Sequence, residues 1–240
     1  MRTVAWFSSG VSSAVGIKLI SSQIDEIIYI HINDQHPDTL RFIEECEGWY
    51  ERPITRLQSR YKTVNEAIRG AGGRGYINGP RGAACSRLLK KRVRKEWELT
   101  QGKEKLRYVW GMDSNESGRA ERLIESMPEH EHLFPLIQAK IDKSSAHGIL
   151  AESGKRRPIM YDLGYYNNNC VGCVKGGMGY WNKIRRDFPI VFKQRAEIER
   201  LVGASCLKNK YLDELLPTDG RKQKPICPDC GLFCMNTYIV

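Results

Sequence analysis

Thr3-Val4-Ala5-Trp6-Phe7-Ser8-Ser9-Gly10-Val11-Ser12-Ser13 is the stretch that decides the fold. A short apolar run of strand character empties into small residues, and Ala14 to Ile20 continue with helix-like spacing. A strand that delivers serine and glycine to a helix N-terminus leaves backbone N–H groups and the positive end of the helix dipole aimed at one spot. An anion is expected there. The loop lacks the Gly-Lys-Ser/Thr ending of a Walker A motif and the three-glycine spacing of a dinucleotide fold. Taken alone, it competes with a serine-rich turn that only caps a helix.

Further strand-like runs lie at Glu26 to Ile32, Ile54 to Leu57, Leu106 to Trp110 and His132 to Ile137, alternating with helical periods. This βαβα order predicts a doubly wound α/β fold, a mostly parallel sheet covered by helices on both faces. Ligands of such sheets collect at the carboxyl ends of the strands, where strand order reverses. Three polar loops are placed there: Ser8 to Ser13, Asp34 to Thr39 and Gly111 to Arg119. The Gly- and Arg-rich segment from Gly70 to Gly82 reads as a flexible lid. We divide the chain into an α/β nucleotide-binding domain (1–164) and a Cys-rich helical region with an extended tail (165–240).

At 240 residues the chain is long enough for one α/β domain with a small appendage. No apolar stretch approaches the roughly 20 residues that span a bilayer, and the N-terminus enters a strand pattern at once. A soluble, cytoplasmic protein without a membrane partner is expected. The net charge of +10 favours polyanions. Within the basic run Arg87 to Lys95, Leu89 and Val93, followed by Trp97, form a helical stripe, so the cations are either a solvated face or a nucleic-acid surface. Of the eight cysteines, several are bunched at CxxC spacing, which points to metal or redox chemistry rather than disulfides. Cys46 sits at an apolar helical position and reads as core. His130 and His132 read as a polar loop entering a strand.

The opening loop resembles the Ser-Gly-Gly-x-Asp-Ser loop of the ATP pyrophosphatase (PP-loop) and phosphoadenosine phosphosulfate (PAPS) reductase superfamily, the adenine nucleotide alpha hydrolases. Ser9 replaces a family glycine and Ser12 an acidic residue. Asp34-Gln35-His36-Pro37-Asp38-Thr39-Leu40-Arg41-Phe42 is similar to the family's Asp-Thr-Gly-x-x-Phe-Pro-Glu-Thr-x-x-Phe. Gly111-Met112-Asp113-Ser114-Asn115-Glu116-Ser117-Gly118-Arg119 is similar to Gly-x-Arg-x-x-Glu-Ser-x-x-Arg, and Phe134-Pro135-Leu136 stands where the family has Tyr-Pro-Leu. Gly164-Tyr165 before Cys170-Val171-Gly172-Cys173, and Ala84-Cys85-Ser86 before Leu89-Lys90, resemble its cysteine segments. These matches follow the family's order through Cys173. The C-terminal pattern, Tyr180 to Arg186 and Asp229 to Cys234, is similar to reductase-like proteins common in phage and bacterial genomes.

The resemblance implies an adenosine nucleotide (ATP, or adenylyl or phosphoadenylyl sulfate) in the three-loop crevice. It would be bound by Ser8, Ser9, Gly10, Ser12, Ser13, Asp34, Gly111, Glu116 and Arg119. Asp34 would hold a ribose hydroxyl or a magnesium-bridged pyrophosphate, against a competing role as cap of a helix starting near Pro37. Arg119 would stabilise phosphate charge during transfer, against pairing with Glu116 on one helix face. Cys85, Cys170 and Cys173 resemble three-cysteine 4Fe-4S sites, with zinc as the alternative and Cys227, Cys230 and Cys234 as further candidate ligands. Cys206 is a candidate for a separate zinc site. Asp229-Cys230-Gly231-Leu232 is similar to the segment carrying the reductases' nucleophilic cysteine. The expected function is ATP-dependent sulfur transfer to a nucleic-acid acceptor such as tRNA or DNA. Its rivals are sulfite release by a true reductase using Cys230, and a non-catalytic nucleotide- or nucleic-acid-binding protein. A homodimer is compatible with each.

Overall fold

The computed structural model describes every residue except Arg74, Pro80, Arg81, Lys103 and 222–240. The tail candidates Cys227, Cys230 and Cys234 therefore lie outside the described residues. Strand β1 (Thr3–Phe7) is buried along its whole length, as a central strand covered on both faces must be. It pairs in parallel with β2 (Glu26–His31), Val4 opposite Glu26, and with β4 (Arg107–Val109), Ala5 opposite Val109. β3 (Ile54–Gln58) lies outside β2, and β5 (Glu131–Leu133) lies outside β4. The order β3-β2-β1-β4-β5, all parallel, makes the fold a doubly wound α/β sheet. Strand order reverses between β1 and β4, so the crevice opens at their carboxyl ends. The fifth strand is shorter than the sequence predicts. It stops at Leu133 because Pro135, which has no N–H for a ladder, opens a helix instead.

The helices are α1 (Val11–Leu19), α2 (Asp38–Tyr50), α3 (Val64–Arg69), α4 (Arg92–Thr100), α5 (Ser117–Glu125), α6 (Pro135–Gln138), α7 (Lys143–Glu152), α8 (Ile159–Asp162), α9 (Met178–Asp187) and α10 (Pro189–Val202). Strand alternation divides the sheet's side chains between two cores. Ala5, Phe7, Ile27, Tyr29 and Val109 pack with residues of α1, α2, α6 and α7. Cys46 belongs to this core, and burial pushes its thiol up to about 12. On the other face Val4, Trp6, Ile28 and Tyr108 lie under Trp97 of α4, whose ring meets Trp6 edge to face at 5.4 Å.

A third core joins early and late parts of the chain. Ile32, Val64, Ile68, Ile77 and Leu89 pack with Val174, Ile198 and Val202, so α10 closes over the region just beyond β2. This packing corrects the expected lid. Ile77 is fully buried, Tyr76 N–H donates to the Ile68 carbonyl (3.2 Å), and Ala84 N–H donates to the Ile77 carbonyl (3.0 Å). Tyr76 and Ile77 thus anchor this stretch to the core, while Gly72, Gly73 and Asn78 are exposed.

The basic run keeps its predicted stripe: Leu89 and Val93 are buried. It begins in π-type turns over Ser86–Lys91 that pass into α4. Arg92 and Arg94 pair with Glu96 and Glu98 one turn on, contacts worth about 0.3–0.5 kcal/mol each, while Arg87, Lys90, Lys91 and Lys95 are exposed. Among the described residues no helix is long and apolar enough to cross a membrane.

Candidate active site

The loop from Ser8 to Ser13 is held by its own side chains. Ser9 is buried with φ +58°, a left-handed conformation that glycine adopts without penalty, which explains the family glycine at this place. Its hydroxyl donates to the Ser8 carbonyl (2.6 Å) and accepts from Gln35 Nε2 (3.1 Å), and its carbonyl accepts from Asn168 Nδ2 (2.8 Å). Ser13 Oγ accepts from the Ser8 N–H (3.1 Å). The Ser9 hydroxyl thus donates within the loop, whereas Ser13 accepts there without using its own O–H; Ser8 is exposed and Ser12 half-buried at the crevice. Gly10 offers the first turn of α1 no side-chain cap, the arrangement that leaves helix N–H groups to an anion. Val11 N–H instead donates to the buried Tyr161 hydroxyl (3.3 Å). Because only glycine relieves the left-handed strain while both substitutions lose the hydroxyl, Ser9→Gly is expected to be about 1 kcal/mol more stable than Ser9→Ala in urea unfolding. Equal midpoints would mean that the loop relaxes out of this conformation.

Asp34 follows β2, and its surroundings replace the capping role considered from sequence. Helix α2 starts at Asp38, and the Asp34 carboxylate instead accepts from the Val64 N–H (2.8 Å) at the start of α3. Its other oxygen accepts from Arg195 Nη2 (3.2 Å). Arg195, on α10, is only 2% exposed and also donates to Asn65. Sequence reading missed it, since an arginine in an amphipathic helix looks like a solvated face. Asp34, Asn65, His36, Phe188 and Arg195 border a cavity of about 390 Å³.

Gly111, at the end of β4, is where the third loop touches the first. A Cβ there would stand 2.2 Å from Ser13 Cα and 2.7 Å from Ser13 N, so only glycine fits. Asp113 Oδ1 accepts from the Asn115 N–H (3.1 Å), and Glu116 reaches back to the Asp113 N–H (3.3 Å), a capping box before α5. Burial holds the Asp113 carboxyl above the usual carboxylate range. Arg119 pairs with Glu116 and its side chain is 63% exposed, so the helix-face pairing considered from sequence is present. A second cation stands beside this loop. Lys143 Nζ lies 3.8 Å from the Tyr166 ring centroid and donates to Asn167 Oδ1 (2.6 Å), with its pKa pulled down to about 8 by burial against the attraction of Asp113 and Glu116. Nothing in the local sequence singled it out.

The cysteine loop is fastened to both the Ser8–Ser13 loop and the loop that begins at Asp34. Asn168 reaches Ser9 as above, and the Val171 N–H donates to the Asp34 carbonyl (2.7 Å). The Tyr180 hydroxyl accepts from the Cys173 N–H (2.8 Å) and donates to the Cys170 carbonyl (3.3 Å), clamping the CxxC turn. Cys85, Cys170 and Cys206 pack against one apolar cluster. Burial pushes the Cys170 thiol up to about 12; Lys90 opposes this, while Asp34, Cys173 and Cys85 add to it. Cys85 and Cys206 are raised chiefly by burial as well, and Cys173 contributes to both. Buried thiols become thiolates only when a cation or metal compensates the charge. Among the described residues no three His, Cys, Asp or Glu side chains are grouped to hold a single metal ion.

Residues 2–146 match the family model described as phosphoadenosine phosphosulfate reductase domain. Among solved structures, phosphoadenylyl-sulfate (PAPS) reductase from Candida auris, in its phosphate complex, is similar with a TM-score of 0.52 and 14% identity. The likeness covers 69% of this chain and 79% of that one, and at this identity it is a likeness of fold. No curated protein matches.

Proposed function

Because the chain belongs to the phosphoadenosine phosphosulfate reductase domain family, we propose that it binds an adenosine nucleotide in the crevice between β1 and β4 and uses it for sulfur chemistry at the adjoining cysteines. The observation that carries this reading is the direct hydrogen bonding of the cysteine loop to the nucleotide loops, Asn168 to Ser9 and Val171 to Asp34. Nucleotide activation and sulfur handling then share one site.

The reaction we favour is ATP-dependent sulfur transfer to nucleic acid. A carbonyl oxygen of the acceptor base attacks the α-phosphorus of ATP and pyrophosphate leaves. Inorganic sulfide then displaces AMP at the same carbon, leaving a thiocarbonyl, with no net oxidation or reduction. The N–H groups of the first turn of α1, with Ser8 and Ser12, take up the α-phosphate charge. Asp34, fixed by Val64 and Arg195, orients the ribose or a magnesium ion on the pyrophosphate. Lys143 and Arg119 supply positive charge from the third-loop side. The exposed Arg87, Lys90, Lys91 and Lys95 follow Cys85 and suit the phosphates of the acceptor.

Cys85, Cys170 and Cys173 would hold a 4Fe-4S cluster. The support for this assignment is that Cys85 and Cys170 pack against one apolar cluster and that Cys173 belongs to the same Tyr180-clamped turn as Cys170. When bound, such a cluster would supply Lewis-acidic iron for sulfur chemistry beside the crevice. The family's namesake reaction is the second reading. It would use Cys230 as nucleophile on the sulfur of phosphoadenylyl sulfate, releasing the nucleotide, and a dithiol reductant would then release sulfite from the S-sulfocysteine as its own disulfide forms; its support is the family match itself. Against it, the iron-sulfur reductases carry a pair of adjacent cysteines, whereas here the residue before Cys85 is Ala84, fully buried in the third core.

Anaerobic purification followed by metal and sulfide analysis tests the cysteine assignment. Iron and acid-labile sulfide in equal amounts are expected, lost together in Cys170→Ser and Cys173→Ser. Stoichiometric zinc, or full iron in those variants, would overturn it. Sulfite from phosphoadenylyl sulfate that disappears in Cys230→Ser would establish the second reading instead.

A further inference from the structure

The cavity of about 390 Å³ beside Asp34 is a chamber of its own. It is walled by residues that follow β2 and β3 and by α10, and none of Ser8 to Ser13 or Gly111 to Arg119 lines it. Asp34 and Val171 are the walls it shares with the crevice and with the cysteine turn. The Asp34 carboxylate and the Arg195 guanidinium of the lining neutralise each other at 3.2 Å, so the chamber does not select an anion. Asn65 Oδ1 accepts from Arg195 Nη1, which leaves the Asn65 NH2 group and the Gln194 amide without a partner among the described residues. Arg195 Nε is buried and equally unpartnered, although both Nη atoms have partners. A buried N–H without an acceptor costs about 1–3 kcal/mol, and a ligand carbonyl oxygen would remove that cost. The rings of His36 and Phe188 meet edge to face at 6.2 Å in the same lining.

We propose that this cavity receives the unpaired base of the nucleic-acid acceptor, a base that carries a carbonyl oxygen, turned out of its stack toward the cysteine turn. This deepens the sulfur-transfer reading given above and rests on it. Enzymes that modify a base take it out of the strand into a pocket, read its edge with polar side chains and stack it on aromatic or apolar ones. The lining supplies both: N–H donors from Arg195, Asn65 and Gln194 for carbonyl and ring-nitrogen acceptors, and the rings of His36 and Phe188 for the flat face. Size agrees, because about 390 Å³ lies near the lower end of the roughly 300–1,000 Å³ range of small-molecule pockets, room for one nucleoside. Adenine has no carbonyl oxygen, so the base of ATP does not answer the Arg195 donor in this way. The basic run lies on the same side of the molecule. Leu89 packs in one core with Val64 and Ile68 of α3 and Ile198 of α10, the two helices that contribute Asn65, Gln194 and Arg195 to the cavity. The strand's phosphates and its extruded base thus have neighbouring sites.

The test measures binding of short labelled single strands to the full chain purified anaerobically, by fluorescence anisotropy without ATP. A uridine or cytidine strand is expected to bind roughly tenfold more tightly than an abasic strand of the same length and charge, the scale of one stacked base. Gln194 is exposed, so Gln194→Trp can fill the mouth of the cavity without entering the core. That variant should bind both strands as the wild type binds the abasic one, and Gln194→Ala should lose about threefold of the difference, the scale of one hydrogen bond. Equal affinity of the wild type for strands with and without bases, or a preference for bases that survives Gln194→Trp, would overturn the proposal. So would weakened binding of an ATP analogue alone in Gln194→Trp, which would make the cavity the adenine site. A wild type that binds no strand at all would overturn it together with the nucleic-acid reading beneath it. Photocrosslinking of a strand containing 5-iodouridine to the unmutated protein covers variants that fail to fold. The label should attach to His36 or Phe188, and attachment confined to other peptides would contradict the assignment.

Discussion

Arg195→Met is expected to destabilise the protein by about 3–5 kcal/mol, because breaking a buried ion pair strands the remaining charge. Arg195 is the covered partner, and the Asp34 side chain is 15% exposed, so water can relieve only part of the loss. Methionine fills most of the volume but satisfies neither Asp34 nor Asn65, both of which the guanidinium reaches. Arg195→Lys keeps the charge without the planar fork and should recover only part of the stability. The damage should extend to function, since the Asp34 carbonyl also accepts from Val171 of the cysteine turn and its carboxylate starts α3 through Val64. Urea unfolding and calorimetric titration with ATP analogues check both effects. A loss below about 1 kcal/mol would show that the pair is not a structural link between the nucleotide loop and α10.

Gly111→Ala is expected to cost about 2–3 kcal/mol and to weaken nucleotide binding at least tenfold, the scale of forcing an atom into a filled interior. The added methyl would meet the backbone of Ser13, not the movable end of a side chain, so the first turn of α1 has to shift. That turn is the proposed anion site. Gly48→Ala provides the contrast. Gly48 is exposed within α2 and a Cβ there meets nothing within 4 Å, so alanine should raise stability by roughly 0.5–1 kcal/mol. Unchanged nucleotide affinity in Gly111→Ala, measured on folded protein, would separate the third loop from the phosphate site.

The opening stretch was readable because its information is local: an apolar run for a central strand, then small residues at a helix start. The same locality explains the shortened fifth strand, where Pro135 outweighed an apolar pattern that continued to Ile137. What sequence could not supply was the use made of each polar group. Ser9 and Ser13 read as anion donors, and their side chains also bind within the loop, Ser9 by donating to the Ser8 carbonyl and Ser13 by accepting from the Ser8 N–H. Arg195 lies 161 residues from Asp34, so neither its burial nor its partner leaves a mark in spacing or periodicity. Lys143 was hidden in the same way. Cys206 is visible as a cysteine, but only tertiary packing sets it against the apolar cluster that Cys85 and Cys170 also meet.

The central proposal is that this crevice splits ATP at the α-phosphorus to drive sulfur transfer. The most direct measurement incubates the anaerobic protein with ATP, magnesium, sulfide and tRNA or DNA, and quantifies AMP, pyrophosphate and thiolated nucleoside together. The account predicts equal amounts of all three, falling as salt rises because the acceptor is held by exposed cations. ATP left intact beside sulfite released from phosphoadenylyl sulfate, or tight nucleotide binding without turnover of either compound, would contradict it.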